Sequence, residues 1–248
     1  MTNELLKDEY QDIETYRVAS LQLSSEIPNL ISTDYLKDDN EKYMKMYDRW
    51  SYYYDFAETV GMKLMYGNQV NRMRQEMMNR LEWKNNASVL YVSIGTGRDL
   101  EFIPKNIDRK SLTICGVDIS LGMLKKCKRK FGKRLNLSLF NCCAEHLPFK
   151  DNSFDIVFNV GAINFYNDKK KAIDEMIRVA KDGSKLLIAD ETNNLIEKQY
   201  KKSSFTKKYY KDKTIDLSEI ENLIPVTAKE MKTDILWKGK FYCITFRK

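Results

Sequence analysis

The sequence of 248 residues predicts an α/β fold in which seven strands form a mostly parallel sheet with helices on both faces. Three observations carry this prediction. Strand-like and helix-like segments alternate between residues 87 and 190. An apolar strand at residues 87–93 runs directly into a glycine turn. Two extended segments near the end of the chain meet at Lys238-Gly239, a connection too short for parallel strands, so a terminal antiparallel hairpin is expected.

A helical extension is expected before the sheet. Residues 1–66 are assigned to this extension and to a lid, and residues 67–248 to the sheet domain. Residues 43–66 are dense in aromatic residues and methionines. Val70, Met73, Met77 and Leu81 then recur at helical spacing, which predicts a core-facing helix leading into the first strand.

The elements of the sheet domain follow in order. The predicted strands are 87–93, 112–118, 135–141, 154–159 and 185–190, followed by a hairpin formed by 230–238 and 240–247. The predicted helices between them are 98–105, 122–131 and 169–179, the last one ending at the turn KDGS. A Rossmann-like architecture is the result, with ligands expected at the carboxyl ends of the strands.

Composition narrows the class of protein. A hydrophobic content of 43% with 12% aromatic residues excludes general disorder. No apolar run approaches the roughly 20 residues that span a membrane. The acidic start MTNELLKDEYQD lacks the positively charged beginning of a signal peptide. We therefore expect one cytoplasmic domain with an extension.

Cysteine, histidine and charge patterns exclude further classes. The five cysteines form no C-x-x-C pair and His146 is the single histidine, so we expect reduced thiols and no metal site. The net charge of +7 is concentrated in lysine-rich stretches at 125–134 and 197–213, and such runs are usually solvated helix faces, which disfavours a nucleic-acid partner. Because residues 197–213 interleave lysines with aromatic rings, peripheral contact with an anionic membrane stays open.

The glycine turn lies in the stretch VLYVSIGTGRDL, residues 89–100. A phosphate-binding P-loop would need a lysine shortly after the glycines, and this stretch has none. A dinucleotide site would need a small residue where Leu100 stands, and Asp99 puts a negative charge where a pyrophosphate would bind. A nucleoside ligand without phosphates fits better, because Gly95 and Gly97 allow its close approach.

Asp118 is a candidate for binding the ribose of such a ligand. Asp118 ends the second strand and follows Gly95 by 23 residues. In parallel sheets of this kind a carboxylate at that position accepts hydrogen bonds from the ribose hydroxyls. A free ribose diol on the ligand is therefore expected.

Three later segments make the assignment specific. These are GVDISLGMLKKCKRKF, CAEHLPFKDNSFDIVFNVGAINFYND and KKAIDEMIRVAKDGSKLLIADET. Together with the turn they resemble the class I S-adenosylmethionine-dependent methyltransferases, in particular the type 11 branch that contains the ubiquinone/menaquinone C-methyltransferases and bacterial phospholipid N-methyltransferases. The likeness covers about residues 45–248, and its most specific motif is A-E-x-L-P-F at 144–149 followed by N-S-F-D at 152–155.

The resemblance implies S-adenosylmethionine as the cofactor and assigns its binding residues. Gly95 and Gly97 would line the methionine and ribose part, and Asp118 would hold the ribose hydroxyls. Ile119 and Met123 would cover the adenine ring. The remaining implied cofactor-binding residues are Tyr91, Ser93, Thr96, Cys143, Ala144, Asn159, Val160 and Gly161.

Three positions depart from the family pattern. The family usually has an acid at Tyr91, a glycine at Ser93 and an aspartate at Cys143. Loss of either acid would remove a charge-assisted bond to the cofactor, at a cost of about 1.5–3 kcal/mol each. Ser93 is accommodated without strain only if its φ is negative.

The resemblance also indicates where the methyl acceptor binds. The aromatic run Tyr47, Trp50, Tyr52, Tyr53, Tyr54 and Phe56 stands where relatives place a lid, and at least one tyrosine is expected to face the cofactor. Asn164, Phe165, Tyr166 and Glu191 would form the acceptor wall. Tyr53 and Asn164 are the candidate catalytic residues. A dedicated base is needed only where the acceptor must first lose a proton.

Two functions from different classes follow from these residues. The first is methyl transfer from S-adenosylmethionine to a small apolar or aromatic molecule or to a lipid headgroup. The alternative is a non-catalytic ligand-binding protein on a methyltransferase fold, which the departures at Tyr91 and Cys143 favour. The acceptor atom, whether carbon, nitrogen, oxygen or sulfur, stays open.

Overall fold

A computed structural model describes residues 3–11, 27–56, 66–202, 207–211 and 214–248. Its helices of seven or more residues are α1 (Asp38–Phe56), α2 (Gln69–Met78), α3 (Leu121–Phe131), α4 (Lys169–Val179) and α5 (Leu217–Leu223). Its strands are β1 (Ser88–Val92), β2 (Thr113–Asp118), β3 (Leu137–Asn141), β4 (Phe154–Val160), β5 (Ala180–Glu191), β6 (Lys229–Leu236) and β7 (Phe241–Arg247). Shorter helical segments are Asn3–Leu5, Asp8–Gln11, Thr33–Tyr35, Arg98–Phe102, Ile163–Phe165, Asn193–Leu195, Ile196–Tyr200, Lys207–Tyr210 and Trp237–Gly239.

The seven strands form one sheet in the order β3-β2-β1-β4-β5-β7-β6. The first five strands in this order run parallel to one another, whereas β7 pairs antiparallel with both β5 and β6. The mostly parallel sheet with a terminal hairpin is thus confirmed. The strand order reverses between β1 and β4, and in open α/β sheets such a reversal leaves a crevice at the carboxyl ends of the strands.

Each face of the sheet carries its own apolar core. Val89 of β1 packs with Met77 of α2 and Leu124 of α3 on one face. Leu90, the next residue of β1, packs with Ile173 of α4 and Ile220 of α5 on the other. Because successive strand residues point to opposite faces, this alternation covers the sheet on both sides as the sequence predicts.

Two element boundaries differ from the prediction. The helix expected at 98–105 is a 3-10 helix from Arg98 to Phe102. It ends there because Ile103 precedes Pro104, and a residue before proline is disfavoured in helical conformation. The turn KDGS lies inside β5, where the partner in β4 shifts from Ala180 opposite Phe154 to Lys185 opposite Ile156.

The described part of the extension is mostly helical, with non-helical backbone at residues 27–32. Helix α1 spans Asp38–Phe56, although the side chains of residues 50–56 lie outside the described part, as do residues 12–26 and 57–65 entirely. Two short bridges, Leu6 with Phe149 and Asn29 with Asn141, join earlier residues to the sheet domain. Within the described ranges, no helix has the length and apolar character needed to cross a membrane.

Candidate active site

A cleft lies at the switch point of the sheet, beside the carboxyl ends of β1, β2 and β4. It encloses about 940 Å³ including its open mouth. Eleven of the thirteen predicted cofactor-binding residues line it: Tyr91, Ser93, Gly95, Thr96, Asp118, Ile119, Met123, Cys143, Ala144, Val160 and Gly161. The other two, Gly97 and Asn159, do not line it.

The two glycines of the turn have different surroundings. Both have left-handed backbone, with φ of 54° at Gly95 and 78° at Gly97. A Cβ built on Gly95 meets nothing within 4 Å, whereas one built on Gly97 would lie 2.7 Å from Cys127 Sγ and 3.0 Å from the Phe131 ring. Gly97 therefore allows α3 to pack against the turn, while Gly95 lines the cleft.

Asp118 is held by backbone donors. The Gly95 N–H donates to its Oδ2 and the Ser120 N–H to its Oδ1, both at 2.8 Å. Burial raises the pKa of the carboxyl to about 6, and the two backbone bonds oppose this rise while nearby Asp48 adds to it. We call Gly95, Asp118 and Ser120 the Asp118 turn.

The side of the cleft next to β3 is apolar except for one acid. Ile119, Met123, Cys143 and Ala144 line it. Burial, with a contribution from Glu145, raises the pKa of the Cys143 thiol to about 12, so this thiol is neutral near pH 7. Glu145 is itself only 1% exposed and its Oε1 accepts a hydrogen bond of 2.8 Å from the Asn40 amide of α1. An acid thus lies two residues after the position where the family has one.

The end of β1 is strained at Ser93. Its φ is 56°, so the condition for accommodating serine without strain is not met. Its hydroxyl lies 2.6 Å from the Tyr166 hydroxyl, and Tyr166 in turn accepts a bond of 2.9 Å from Asn159 Nδ2. Asn159 also donates to the Val92 carbonyl at 2.9 Å. This network explains why Asn159 supports the wall from behind instead of lining the cleft.

Three polar side chains line the cleft from the α2 side. Arg74 of α2 donates from Nη1 to both carboxylate oxygens of Asp99, at 2.7 Å each. The hydroxyl of Tyr91 donates to Asp99 Oδ2 at 2.5 Å. Asp99 is 1% exposed and the Arg74 side chain 14%. We call Arg74, Tyr91 and Asp99 the ionic cluster.

An aromatic wall closes the opposite side. Tyr43, Tyr47, Phe165 and Tyr166 line the cleft there. Phe165 contacts the Tyr43 ring at a centroid distance of 4.8 Å, and the Tyr210 ring at 5.3 Å covers it from outside. Part of the basic segment 197–213 therefore serves as a cap, because Tyr210 is buried in this cluster.

Asn164, one of the two candidate catalytic residues, does not line the cleft. Asn164 is 2% exposed, and its side chain donates to the Glu191 carbonyl and accepts from the Tyr242 hydroxyl. It fixes the turn after β4, while its neighbours Phe165 and Tyr166 line the cleft. The side chain of Tyr53 lies outside the described residues, as do those of Trp50, Tyr52, Tyr54 and Phe56. Glu191 accepts a bond of 3.0 Å from Tyr200 and is likewise not a lining residue.

Several lining residues were not assigned to the site from the sequence: Asn40, Tyr43, Arg74, Arg98, Asp99 and Glu145. Arg74 directly follows Met73 in the apolar stripe of α2, so the spacing alone indicates a residue at the edge of the core. One signal for Asp99 was available, since an acid in the turn after the glycines has to be paired once it is buried.

Comparison with protein families identifies the domain. Residues 90–188 match the family model described as "Methyltransferase domain". The chain is similar to demethylmenaquinone methyltransferase of Renibacterium salmoninarum, with 36% identity over 49% of this chain and 48% of that protein. It is similar to phthiotriol/phenolphthiotriol dimycocerosates methyltransferase 1 of Mycobacterium ulcerans, with 30% identity over 57% and 51% of the two chains. The chain thus spans about half the length of these curated relatives.

Solved structures share the fold. A methyltransferase of Thermotoga maritima superposes with a TM-score of 0.60 at 20% identity, over 82% of this chain and 99% of that one. The phosphoethanolamine N-methyltransferase 2 of Haemonchus contortus superposes with a TM-score of 0.63 at 16% identity, over 86% and 60% of the two chains. At these identities the likeness concerns the architecture of the sheet and its helices.

Proposed function

Because this chain belongs to the class I S-adenosylmethionine-dependent methyltransferases, we propose that it transfers a methyl group from S-adenosylmethionine to a small apolar or aromatic acceptor. A lipid headgroup is the second acceptor class that we retain. Asp118 carries the proposal. When ionised, it offers only acceptors, and these suit the two hydroxyls of a ribose bound in the cleft.

The hydrogen bonds of Asp118 support this role. Each of its oxygens accepts one backbone N–H, which fixes the carboxylate and leaves lone pairs for two hydroxyl donors. No ion pair to Asp118 occurs within the described ranges. A ligand that supplies two hydroxyl donors would thus stabilise the ionised form, whose formation burial now disfavours.

The other lining residues would contact either the adenine end or the sulfonium end of the cofactor. Ile119 and Met123 would enclose the adenine ring, with Ala144 at its edge. The ends of β1 and β4 would hold the sulfonium region, where Ser93, Val160 and Gly161 line the cleft. The acceptor would then lie against the aromatic wall.

The protein's main contribution to the reaction would be to align the acceptor with the methyl group. When bound, S-adenosylmethionine supplies an activated methyl group that an acceptor displaces in line with the sulfur. The protein would position the acceptor and exclude water, and both effects lower the barrier of such a reaction. Tyr43, Tyr47 and Phe165 are suited to this because their rings are apolar and can contact a cation on their faces.

The composition of the wall also favours the acceptor class. Rings dominate it, whereas Arg74 and Arg98, which also line the cleft, belong to α2 and to the 3-10 helix after β1. Two relatives are named for acting on demethylmenaquinone and on phthiotriol lipids, which carry large apolar portions. An apolar or aromatic acceptor therefore fits this wall better than a strongly anionic one.

Calorimetric titration tests the cofactor assignment. We expect S-adenosylmethionine and S-adenosylhomocysteine to bind with micromolar affinity and NADH not to bind. Asp118→Ala should lower the affinity for S-adenosylhomocysteine at least tenfold, whereas Asp234→Ala, an acid on β6 paired with Arg80, should leave it unchanged. Failure of the wild-type protein to bind either compound would refute the proposal.

Turnover separates the enzyme from the non-catalytic alternative. The protein should release S-adenosylhomocysteine when it is supplied with S-adenosylmethionine and a panel of hydroquinones, phenols and amines. Cofactor binding without product from any member of a broad panel would instead support the binding-protein alternative, which the missing acids at Tyr91 and Cys143 favour.

A further inference from the structure

Two adjacent acids lie close to the aromatic wall and have no part in the proposed cofactor site. Asp190 and Glu191 are the last two residues of β5, and Asp190 is fully buried. The Asp190 carboxyl accepts from the Asn164 N–H at 2.9 Å and from the Glu191 N–H at 2.8 Å. Its side chain is also hydrogen-bonded to that of Glu191. We call Asp190 and Glu191 the acid pair.

The acid pair holds a proton between its two carboxyl groups. Burial raises the pKa of Asp190 well above its ordinary value, and the charge of Glu191 and the hydrogen bond to it add to this rise. Asp190 therefore keeps its proton near pH 7, because two carboxylates in contact cannot both be ionised without strong repulsion. The pair thus carries one proton and one negative charge, and it can accept a second proton.

Three tyrosines connect the acid pair with the cleft. The Tyr200 hydroxyl donates to Glu191 Oε1 at 3.0 Å. The ring of Tyr200 packs on that of Tyr210, with 4.7 Å between the centroids. Tyr210 is hydrogen-bonded to Tyr47, which lines the cleft. Burial raises the pKa of Tyr47 and of Tyr210, and the charge of Glu191 contributes in both cases, so this charge is felt as far as the cleft wall.

The backbone around the acid pair favours a functional role for it. Tyr200 ends a π-helical turn, Ile196–Tyr200, and such turns are rare and frequently occur at functional sites. Glu191 is partly exposed, whereas Asp190 is not. A proton that arrives at Glu191 can therefore leave to the solvent, while the inner acid stays shielded.

We propose that the acid pair takes up, through Tyr200, Tyr210 and Tyr47, the proton of an acceptor hydroxyl whose oxygen receives the methyl group. Tyr47 is the catalytic residue, because it lines the cleft and would contact the acceptor. Glu191 and Tyr200 act through it as positioning residues. This inference rests on the proposed function and deepens it, because it selects acceptors that carry an ionisable hydroxyl group.

The step balances in protons and electrons. The O–H bond of the acceptor breaks, and its electron pair stays on the oxygen, which forms the new bond to the methyl carbon. The bond between methyl and sulfur breaks, and its electron pair returns to sulfur. The acceptor proton passes to the Tyr47 oxygen while each tyrosine passes on its own hydroxyl proton, the last of which binds to Glu191. The positive charge of the sulfonium thus leaves the cleft as one proton.

Two phenols of different acidity test this inference. The hydroxyl of 4-methoxyphenol is protonated near neutral pH, like that of tyrosine, with a pKa of about 10. The nitro group of 4-nitrophenol makes it far more acidic, so that it is largely ionised in an assay at pH 8 and needs no proton acceptor. We expect the wild-type protein to methylate 4-methoxyphenol, with release of S-adenosylhomocysteine.

Variants locate the effect in the acid pair. Glu191→Gln should lower kcat for 4-methoxyphenol at least tenfold, with KM and the rate for 4-nitrophenol changed less than twofold. Tyr200→Phe removes only the hydroxyl that bonds Glu191 and should act in the same direction. Glu197→Gln is the matched control, since this acid lies in the same π-helical turn and pairs with Lys201. It should leave both rates unchanged.

The outcomes separate this inference from the proposed function. Equal losses for both phenols in Glu191→Gln would show that this acid only supports the wall and would overturn the inference. Methyl transfer to amines but to neither phenol would also overturn it, while leaving the proposed function intact. No release of S-adenosylhomocysteine with any phenol, hydroquinone or amine would refute the proposed function itself. If Glu191→Gln no longer binds S-adenosylhomocysteine as the wild-type protein does, Tyr200→Phe decides.

Discussion

The Asp118 turn and the ionic cluster hold buried acids at two places in the same cleft, but they hold them in different ways. Asp118 accepts hydrogen bonds from the backbone N–H groups of Gly95 and Ser120. Asp99 is held by side chains, the guanidinium of Arg74 and the hydroxyl of Tyr91. A backbone-held acid depends on strand register alone, whereas a side-chain-held acid depends on which residues two other elements carry. The first should therefore resist substitution of its neighbours, and the second should not.

The largest expected effect comes from removing the cation of the ionic cluster. Arg74→Met leaves Asp99 buried without its counter-charge, so the free energy of unfolding should fall by about 3–5 kcal/mol. Urea denaturation of the unliganded protein measures it.

Arg80→Met is the matched control for this prediction. Arg80 follows α2 closely and bonds Asp234 at 3.1 Å, but both side chains are about one quarter exposed, at 27% and 25%. Its loss should cost no more than about 1 kcal/mol, because solvent screens the pair. Similar losses for both variants would remove the distinction between a buried cluster and an ordinary surface pair.

The second largest effect is expected on the stability of variants at the two glycines of the turn, Gly95 and Gly97. Gly97→Ala should destabilise the protein by about 2–4 kcal/mol, because its Cβ would press on Cys127 and Phe131 and its backbone is left-handed. Gly95→Ala should cost only about 1 kcal/mol, since its Cβ enters open space and only backbone strain remains.

Thermal or urea unfolding of both glycine variants decides this prediction, and ligand binding sharpens it. Gly95→Ala adds a methyl group to the cleft lining and should weaken S-adenosylhomocysteine binding beside Asp118. An equal loss of stability in the two variants would contradict the view that one glycine faces the ligand and the other faces α3.

The smallest effect is the pH dependence of binding through Asp118. Burial raises the pKa of this carboxyl from 3.8 to about 6, and only its ionised form accepts from both ribose hydroxyls. The affinity for S-adenosylhomocysteine should therefore fall below pH about 6, by roughly tenfold per pH unit. Calorimetry between pH 5 and 8 measures this, and 5′-methylthioadenosine should show the same profile because it keeps the ribose.

Folding stability should respond to pH in the opposite sense. A carboxyl whose pKa is higher in the folded state contributes stability at low pH, and this contribution is lost as the pH rises through about 6. In Asp118→Asn both dependences should disappear. A ligand affinity that stays flat across this range in the wild-type protein would show that the carboxylate does not bind the ligand.

The features that the sequence predicts well are those that depend on local patterns of residues. The strands, the switch point and the position of Asp118 follow from apolar periodicity and from the rule that parallel strands present their carboxyl ends at one edge. Gly95 and Asp118 could be paired from the sequence because both follow strands that are neighbours in the sheet.

The sequence does not predict contacts that depend on how distant elements pack against each other. Arg74 reaches Asp99 because α2 packs against the 3-10 helix Arg98–Phe102, and no spacing within α2 reveals this contact. From the sequence, Tyr91 only marks a position where the family's acid is missing. The sequence does not show that the Tyr91 hydroxyl reaches Asp99, an acid in the following turn. The positive φ of Ser93 likewise depends on how β1 leaves the sheet, although the glycine usual in the family at this position is a signal for it.

Helix α1 is fastened where it covers the cleft. Its Asn40 donates to Glu145 at 2.8 Å, and its Asp48 accepts from the Ser120 hydroxyl at 2.5 Å and from the Gly122 N–H at 3.0 Å. Asn40, together with Tyr43 and Tyr47 of the same helix, lines the cleft. We therefore expect a molecule bound in the cleft to leave when these bonds open, so that its residence time would depend on the contacts of α1. Its affinity at equilibrium would depend on other residues, those that line the cleft.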